Sequence, residues 1–119
     1  MTIFARVLRI TLAVALFSML PCFGVSAQMV TLEQYRHPKA AKDLELNRAY
    51  LIGVKDALIA YNMSSDDKQF CLPGAPPSLT FEQANDMLVR WANKTSVSSD
   101  LSLGLALLYA LKRTYPCAQ

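Results

Sequence analysis

Cys71 and Cys117, the single histidine His37 and the adjacent acids Asp66 and Asp67 are the residues whose types could support chemistry beyond packing. A serine or cysteine nucleophile needs a base within hydrogen-bond reach, and His37, beside Pro38, reads as an ordinary surface residue rather than that base. Two cysteines and one histidine fall short of a closed zinc site without carboxylates, so neither metal nor cofactor is expected. Asp66 and Asp67 lie in the polar run "NMSSDDKQ", where adjacent acids are solvated rather than set up for acid-base catalysis. Four glycines contain no phosphate-cradling loop. The expectation is a protein that is not an enzyme and works by surface contact.

What the two cysteines do depends on the compartment, and the N-terminus speaks to that. Arg6 and Arg9 give a positive start, "ITLAVALFSML" is apolar, Pro21 breaks it, and "VSA" precedes Gln28. This is the pattern of a secretory signal peptide over residues 1–27. From Ile10 to Val25 there are 16 residues, short of the roughly 20 that a spanning helix needs. Cys22 leaves with this segment, no membrane attachment is expected after cleavage, and an exported domain over residues 28–119 keeps Cys71 and Cys117. In an oxidising compartment the default for that pair is one disulfide.

Cleavage also changes the charge. The full chain of 119 residues carries +3, with 12 basic and 9 acidic residues. Without Arg6 and Arg9 the balance is 10 against 9, a net +1 on 92 residues. That is room for one domain, and it removes the electrostatic basis for nucleic-acid binding.

The elements that position these residues read as helices. "TLEQ", Thr31 to Gln34, has capping-box spacing and predicts a short helix that breaks at His37-Pro38. From Ala40 to Asn62 no proline intervenes, and Leu46, Tyr50, Gly53, Val54, Ala57, Leu58 and Tyr61 recur at helical spacing, predicting one apolar face. Gly53 on that face is expected to admit a closely packed neighbouring helix. After the irregular "LPGAPPS", Thr80 and Gln83 repeat the capping box ahead of Phe81, Ala84, Met87, Leu88 and Trp91. Trp91, like Tyr35 and Phe81, is read as core edge rather than as a ligand platform. A leucine-rich helix is expected from Asp100 to about Thr114, capped by Ser98 or Ser99, ended by Pro116 and central in the core.

The fold class is therefore all-α, a compact bundle of three to four helices with one disulfide. Its exposed connections offer the candidate contact residues: Asn62, Ser64, Ser65, Asp66, Asp67 and Lys68 in one loop, Asn93, Lys94, Ser96 and Ser98 in the other. Asn62-Met63-Ser64 and Asn93-Lys94-Thr95 also match the glycosylation triplet, which matters only in a eukaryotic secretory route.

Three stretches in this order, "YLIGVKDAL", "FCLP" and "YPC", resemble the type VI secretion amidase-immunity proteins of the Tai/Rap family, small helical periplasmic proteins. The resemblance runs from about Tyr50 to Cys117. It implies structural roles for Tyr50, Leu51 and Gly53, for Phe70, Cys71 and Pro73, and for Tyr115, Pro116 and Cys117, with Cys71 paired to Cys117. It further implies a periplasmic protein, often a homodimer, that binds and blocks a cell-wall-cleaving toxin, an amidase. Away from that resemblance, a helical chaperone or an envelope interaction module with no dedicated toxin fits the same exported domain.

Overall fold

The computed structural model describes residues 29–118. The predicted signal peptide and Cys22 lie outside them. The described residues form four helices: α1 (Leu32–Arg36), α2 (Ala41–Ser64), α3 (Phe81–Lys94) and α4 (Leu103–Thr114).

Both capping boxes form. Thr31 Oγ1 accepts from the Gln34 amide at 3.2 Å and Gln34 Oε1 from the Thr31 amide at 3.0 Å, and Thr80 and Gln83 repeat the exchange at 3.1 and 2.9 Å. Each pair satisfies two amides that a helix start otherwise leaves without partners. Ala40 has no capping side chain. Asp43 acts instead, accepting from the amides of Lys39 and Ala40 at 3.2 and 3.0 Å.

Helix α4 starts later than its sequence suggests. Its N-cap is Ser102, and the hydroxyl of Ser98 accepts from the Asp100 amide in a preceding turn. The delay has a tertiary cause, because residues 99–103 pair with the strand-like entry to α1. Leu32 N–H donates to Leu101 C=O and Leu103 N–H to Val30 C=O, both at 2.8 Å, around an isolated antiparallel bridge between Thr31 and Ser102. A residue cannot give its amide to that bridge and to a helical turn at once. The bridge fastens α1 onto the bundle, with Leu32 2% exposed.

From there α4 runs through the centre and touches each of the other three helices. Leu103, Ala106, Leu107, Ala110 and Leu111 are fully buried. Each of these leucines contributes about 2 kcal/mol by leaving water. Leu105 and Tyr109 remain on its outer side.

The buried face of α2 differs from the expected one. Leu46 is 65% and Tyr61 67% exposed, while Asn47, Leu51 and Asn62 are buried and Val54 and Leu58 half-buried. Tyr50, Val54 and Leu58 of the expected face do pack half-buried against the core; the stripe shifts at its edges, where Asn47 and Asn62 are buried in place of Leu46 and Tyr61. The two asparagines decide this: they point inward because backbone groups wait there for them. Gly53 is likewise exposed, with no atom within 4 Å of where a Cβ would stand, so the expected close helix contact is not made there. At Gly104 of α4 an added Cβ would meet Val54 Cγ1 at 3.6 Å, an ordinary packing distance between α4 and α2.

Candidate functional site

The loop 62–68 is built around one side chain. Asn62 is 7% exposed on the last turn of α2. Its Nδ2 donates to Phe70 C=O at 2.8 Å, and its Oδ1 accepts from the amides of Gln69 and Phe70 at 2.7 and 3.3 Å. The chain leaving α2 is thereby folded back along it, and Phe70 is pressed into the core at 2% exposure. Lys68 closes the turn, its ammonium donating to the Asn62 and Met63 carbonyls at 2.9 and 2.7 Å. A cation on the last carbonyls of a helix is favoured by the helix dipole.

The disulfide completes this corner. Cys71 and Cys117 are bonded, with Cα atoms 4.9 Å apart, tying the segment after the loop to the chain beyond α4. Beside it the Cys71 amide donates to Tyr115 C=O at 2.8 Å, and Lys112 Nζ donates to Gln69 Oε1 at 3.1 Å. The loop therefore rests on three supports: the end of α2, the end of α4 and the covalent bridge.

The predicted contact residues separate on this frame. Asn62 is a buried clamp rather than part of the outer surface, and its amide is unavailable for glycan attachment. Ser64, Asp66, Asp67 and Lys68 are exposed and Ser65 half-buried. Ser64 Oγ bonds Tyr61 C=O and Ser65 Oγ bonds Asp67 C=O, so both hydroxyls shape the turn. Asp67 accepts from Gln69 Nε2 at 3.1 Å, and among the described residues neither Asp66 nor Asp67 has an ion-pair partner.

Asn93, Lys94, Ser96 and Ser98 are exposed as well. Asn93 Oδ1 accepts from Arg36 Nη2 at 2.9 Å, which joins this second loop to α1. The two loops are not brought together. Loop 62–68 meets the C-terminal end of α4 and loop 93–99 precedes its N-terminal end, an axis of about 18 Å for 12 residues.

Among the family-resemblance positions, Phe70, Tyr115 and Cys71 belong to the disulfide corner just described. Tyr50 packs half-buried against the core. Pro73 precedes Gly74, whose φ of 99° suits glycine and strains any side chain. Pro116 is exposed between Tyr115 and Cys117.

One feature escapes sequence periodicity. A largely apolar cleft of about 250 Å³ opens beside loop 62–68, walled by Ile59 and Met63 from α2 and by Phe70, Cys71, Leu72 and Pro77 from the chain that folds back. Its residues come from a helix and an irregular segment, so no spacing rule links them.

Ionisable groups elsewhere serve packing. The Tyr35 hydroxyl donates to Asn85 Oδ1, and burial pushes its pKa up to about 12 against the opposing pull of the Arg48 charge. Arg48 stacks 4.1 Å above the Phe81 ring and pairs with Glu82 at 3.4 Å. The hydrogen bond to its own backbone amide, with help from Arg48, holds Glu82 below the usual carboxylate range. Trp91 packs at 6.2 Å from Tyr109, a tilted aromatic pair at the core edge. His37 lies 3.8 Å from Glu33 on the surface of α1. Among the described residues no cluster of three or more His, Cys, Asp and Glu side chains could hold a metal, and no helix is long and apolar enough to cross a membrane.

Comparison with known proteins finds no match among curated proteins and none among solved structures. The family model of the Rap1a immunity proteins, by contrast, matches residues 25–117, from ahead of the first described residue through both cysteines of the bridge. Spanning all four helices and the disulfide-held corner, that match shows that the chain belongs to the Rap1a immunity protein family.

Proposed function

We propose that this protein is exported by residues 1–27, and that residues 28–119 act in the periplasm as the immunity partner of a peptidoglycan-cleaving amidase delivered by type VI secretion. Family membership over residues 25–117 is the observation that carries the reading. The frame suits it, since a loop held by Asn62, Lys68 and the Cys71–Cys117 bridge presents a preformed surface and limits the entropy lost on docking.

Asp66, Asp67, Ser64 and Ser65 form the edge that meets the effector, with Lys68 at its base and the unpaired acids facing basic groups of the enzyme. Asn93, Lys94, Ser96 and Ser98 form a second contact that only a broad partner reaches together with the first. On the same reading, a second copy of this chain covers the outer stripe of α2, where Leu46, Gly53 and Ala60 recur at seven-residue intervals.

The test is peptidoglycan digestion by any amidase effector encoded beside this protein, with and without the purified oxidised chain. Stoichiometric inhibition with nanomolar affinity, about −12 kcal/mol, is expected. Undiminished digestion with the protein in large excess overturns the reading, and sedimentation reports the dimer separately.

A further inference from the structure

The cleft beside loop 62–68 is open and largely apolar, and of the positions that the sequence marks for contact only Asn62 and Lys68 reach its wall. Met63 forms one wall while remaining half exposed, and its unbranched thioether side chain can adapt to what meets it. Leu72 and Pro77 face it from an irregular segment that the disulfide and the Asn62 bonds hold in place. Its walls are thus present before any partner arrives.

The turn beside it is net negative, with Asp66 and Asp67 against the one charged lining residue, Lys68. Asp66 and Asp67 lie on the turn between two lining residues, Met63 and Lys68, and neither has an ion-pair partner among the described residues. Lys68 keeps its charge while its ammonium donates to the Asn62 and Met63 carbonyls, so two acids against one cation leave the turn net negative. Asp56, one turn before Ile59 on the same helix, is already paired with Lys55 at 2.7 Å.

We propose that this cleft is a socket for one aromatic or large aliphatic side chain of the protein partner, flanked on the partner by a basic residue that Asp66 and Asp67 receive. The inference rests on the immunity reading for the identity of that partner. It reverses part of the geometry expected of an inhibitor: besides offering a loop to the enzyme, this protein accepts an anchor from it. Such anchors, buried in a preformed pocket, are where interfaces concentrate their affinity.

The test uses the full chain expressed with its own N-terminus, purified oxidised and labelled for NMR, with capped dipeptides as probes. N-acetyl-phenylalanyl-arginine amide is expected to bind at millimolar concentration and to shift Ile59, Met63, Phe70 and Leu72. Replacing phenylalanine by glycine should weaken it by about tenfold, the effect of losing one buried apolar side chain. Replacing arginine by glutamate should weaken it by about threefold or more, and Asp66→Asn with Asp67→Asn should erase that difference. Shifts that map elsewhere, or equal binding of the glycine or the glutamate probe, overturn the socket.

Met63→Lys separates this inference from the reading beneath it, provided its circular dichroism and melting match the native chain. If the native protein inhibits the effector and Met63→Lys inhibits equally well, the socket fails and the immunity reading stands. If the dipeptide binds the cleft but the native protein leaves the effector active, the amidase reading fails and the socket remains.

Discussion

Asn62 grips Phe70 at both ends of its backbone, donating to its carbonyl at 2.8 Å and accepting from its amide at 3.3 Å. A side chain that mimics a strand partner in this way turns the end of α2 into a template for the following segment. The grip explains why an asparagine occupies the core face of a helix, where it otherwise costs propensity and desolvation.

Asn62→Ala leaves the Gln69 and Phe70 amides and the Phe70 carbonyl without their partner. The expected loss is about 2 to 4 kcal/mol, lowering the melting temperature by about 10 °C or more. Thermal unfolding by circular dichroism checks this, and a drop under about 3 °C would show that water replaces the side chain at little cost.

Removing the bridge by Cys71→Ser and Cys117→Ser together releases a loop with sequence separation 46. The chain-entropy account gives about 4 kcal/mol, a large part of a small domain's stability. Urea unfolding of the double variant against the oxidised parent measures it.

The two glycines with opposite surroundings should respond oppositely. Gly53→Ala meets open space in a helix and is expected to raise stability by about 0.8 kcal/mol. Gly74→Ala forces a side chain onto a φ of 99° and should lower it by about 1 to 2 kcal/mol. Paired melting curves decide, and the opposite sign at either position contradicts the stated geometry.

Alkaline unfolding should carry the mark of Tyr35, whose pKa is raised to about 12 from 10.0. The folded chain holds the phenol proton more tightly than the unfolded chain. Its contribution is therefore whole below about pH 10 and is lost as pH rises through about 12. Tyr35→Phe should flatten the fall in stability over that window, read from urea midpoints at successive pH values.

Acid behaviour runs the other way at Glu82, whose carboxyl is held low by its own amide and by Arg48. The group contributes above its unfolded pKa and loses that contribution as pH falls through the lowered one. Glu82→Gln should make the acid limb of the stability profile less steep.

Helix starts were legible because capping is local: Thr31 with Gln34 and Thr80 with Gln83 satisfy amides within one turn of themselves. The central helix was legible because α4 is leucine and alanine on every core-facing position. Its first turn was not, since Ser102 and Leu103 answer to Val30 and Thr31, some 70 residues away. Nor were the two asparagines on the inward face of α2. Asn47 donates to Gln34 C=O and Asn62 binds Phe70, and such partners are invisible to a hydrophobic stripe. Of the contact surface, exposure of Asp66, Asp67, Lys94, Ser96 and Ser98 was readable from polarity, whereas the cleft under Met63 was not.

Sequence alone determined what depends on neighbours in the chain: four helical segments, the capping boxes of α1 and α3, the breaks at proline, and two cysteines suited to one bridge. Tertiary structure decided that Asn47 and Asn62 turn inward on α2, where α4 begins, that loops 62–68 and 93–99 stand at opposite ends of α4, and that an apolar cleft opens beside the first. The physical reason is that hydrogen bonds to distant backbone groups and the packing of an irregular segment depend on where the chain returns, and local periodicity carries no record of that return.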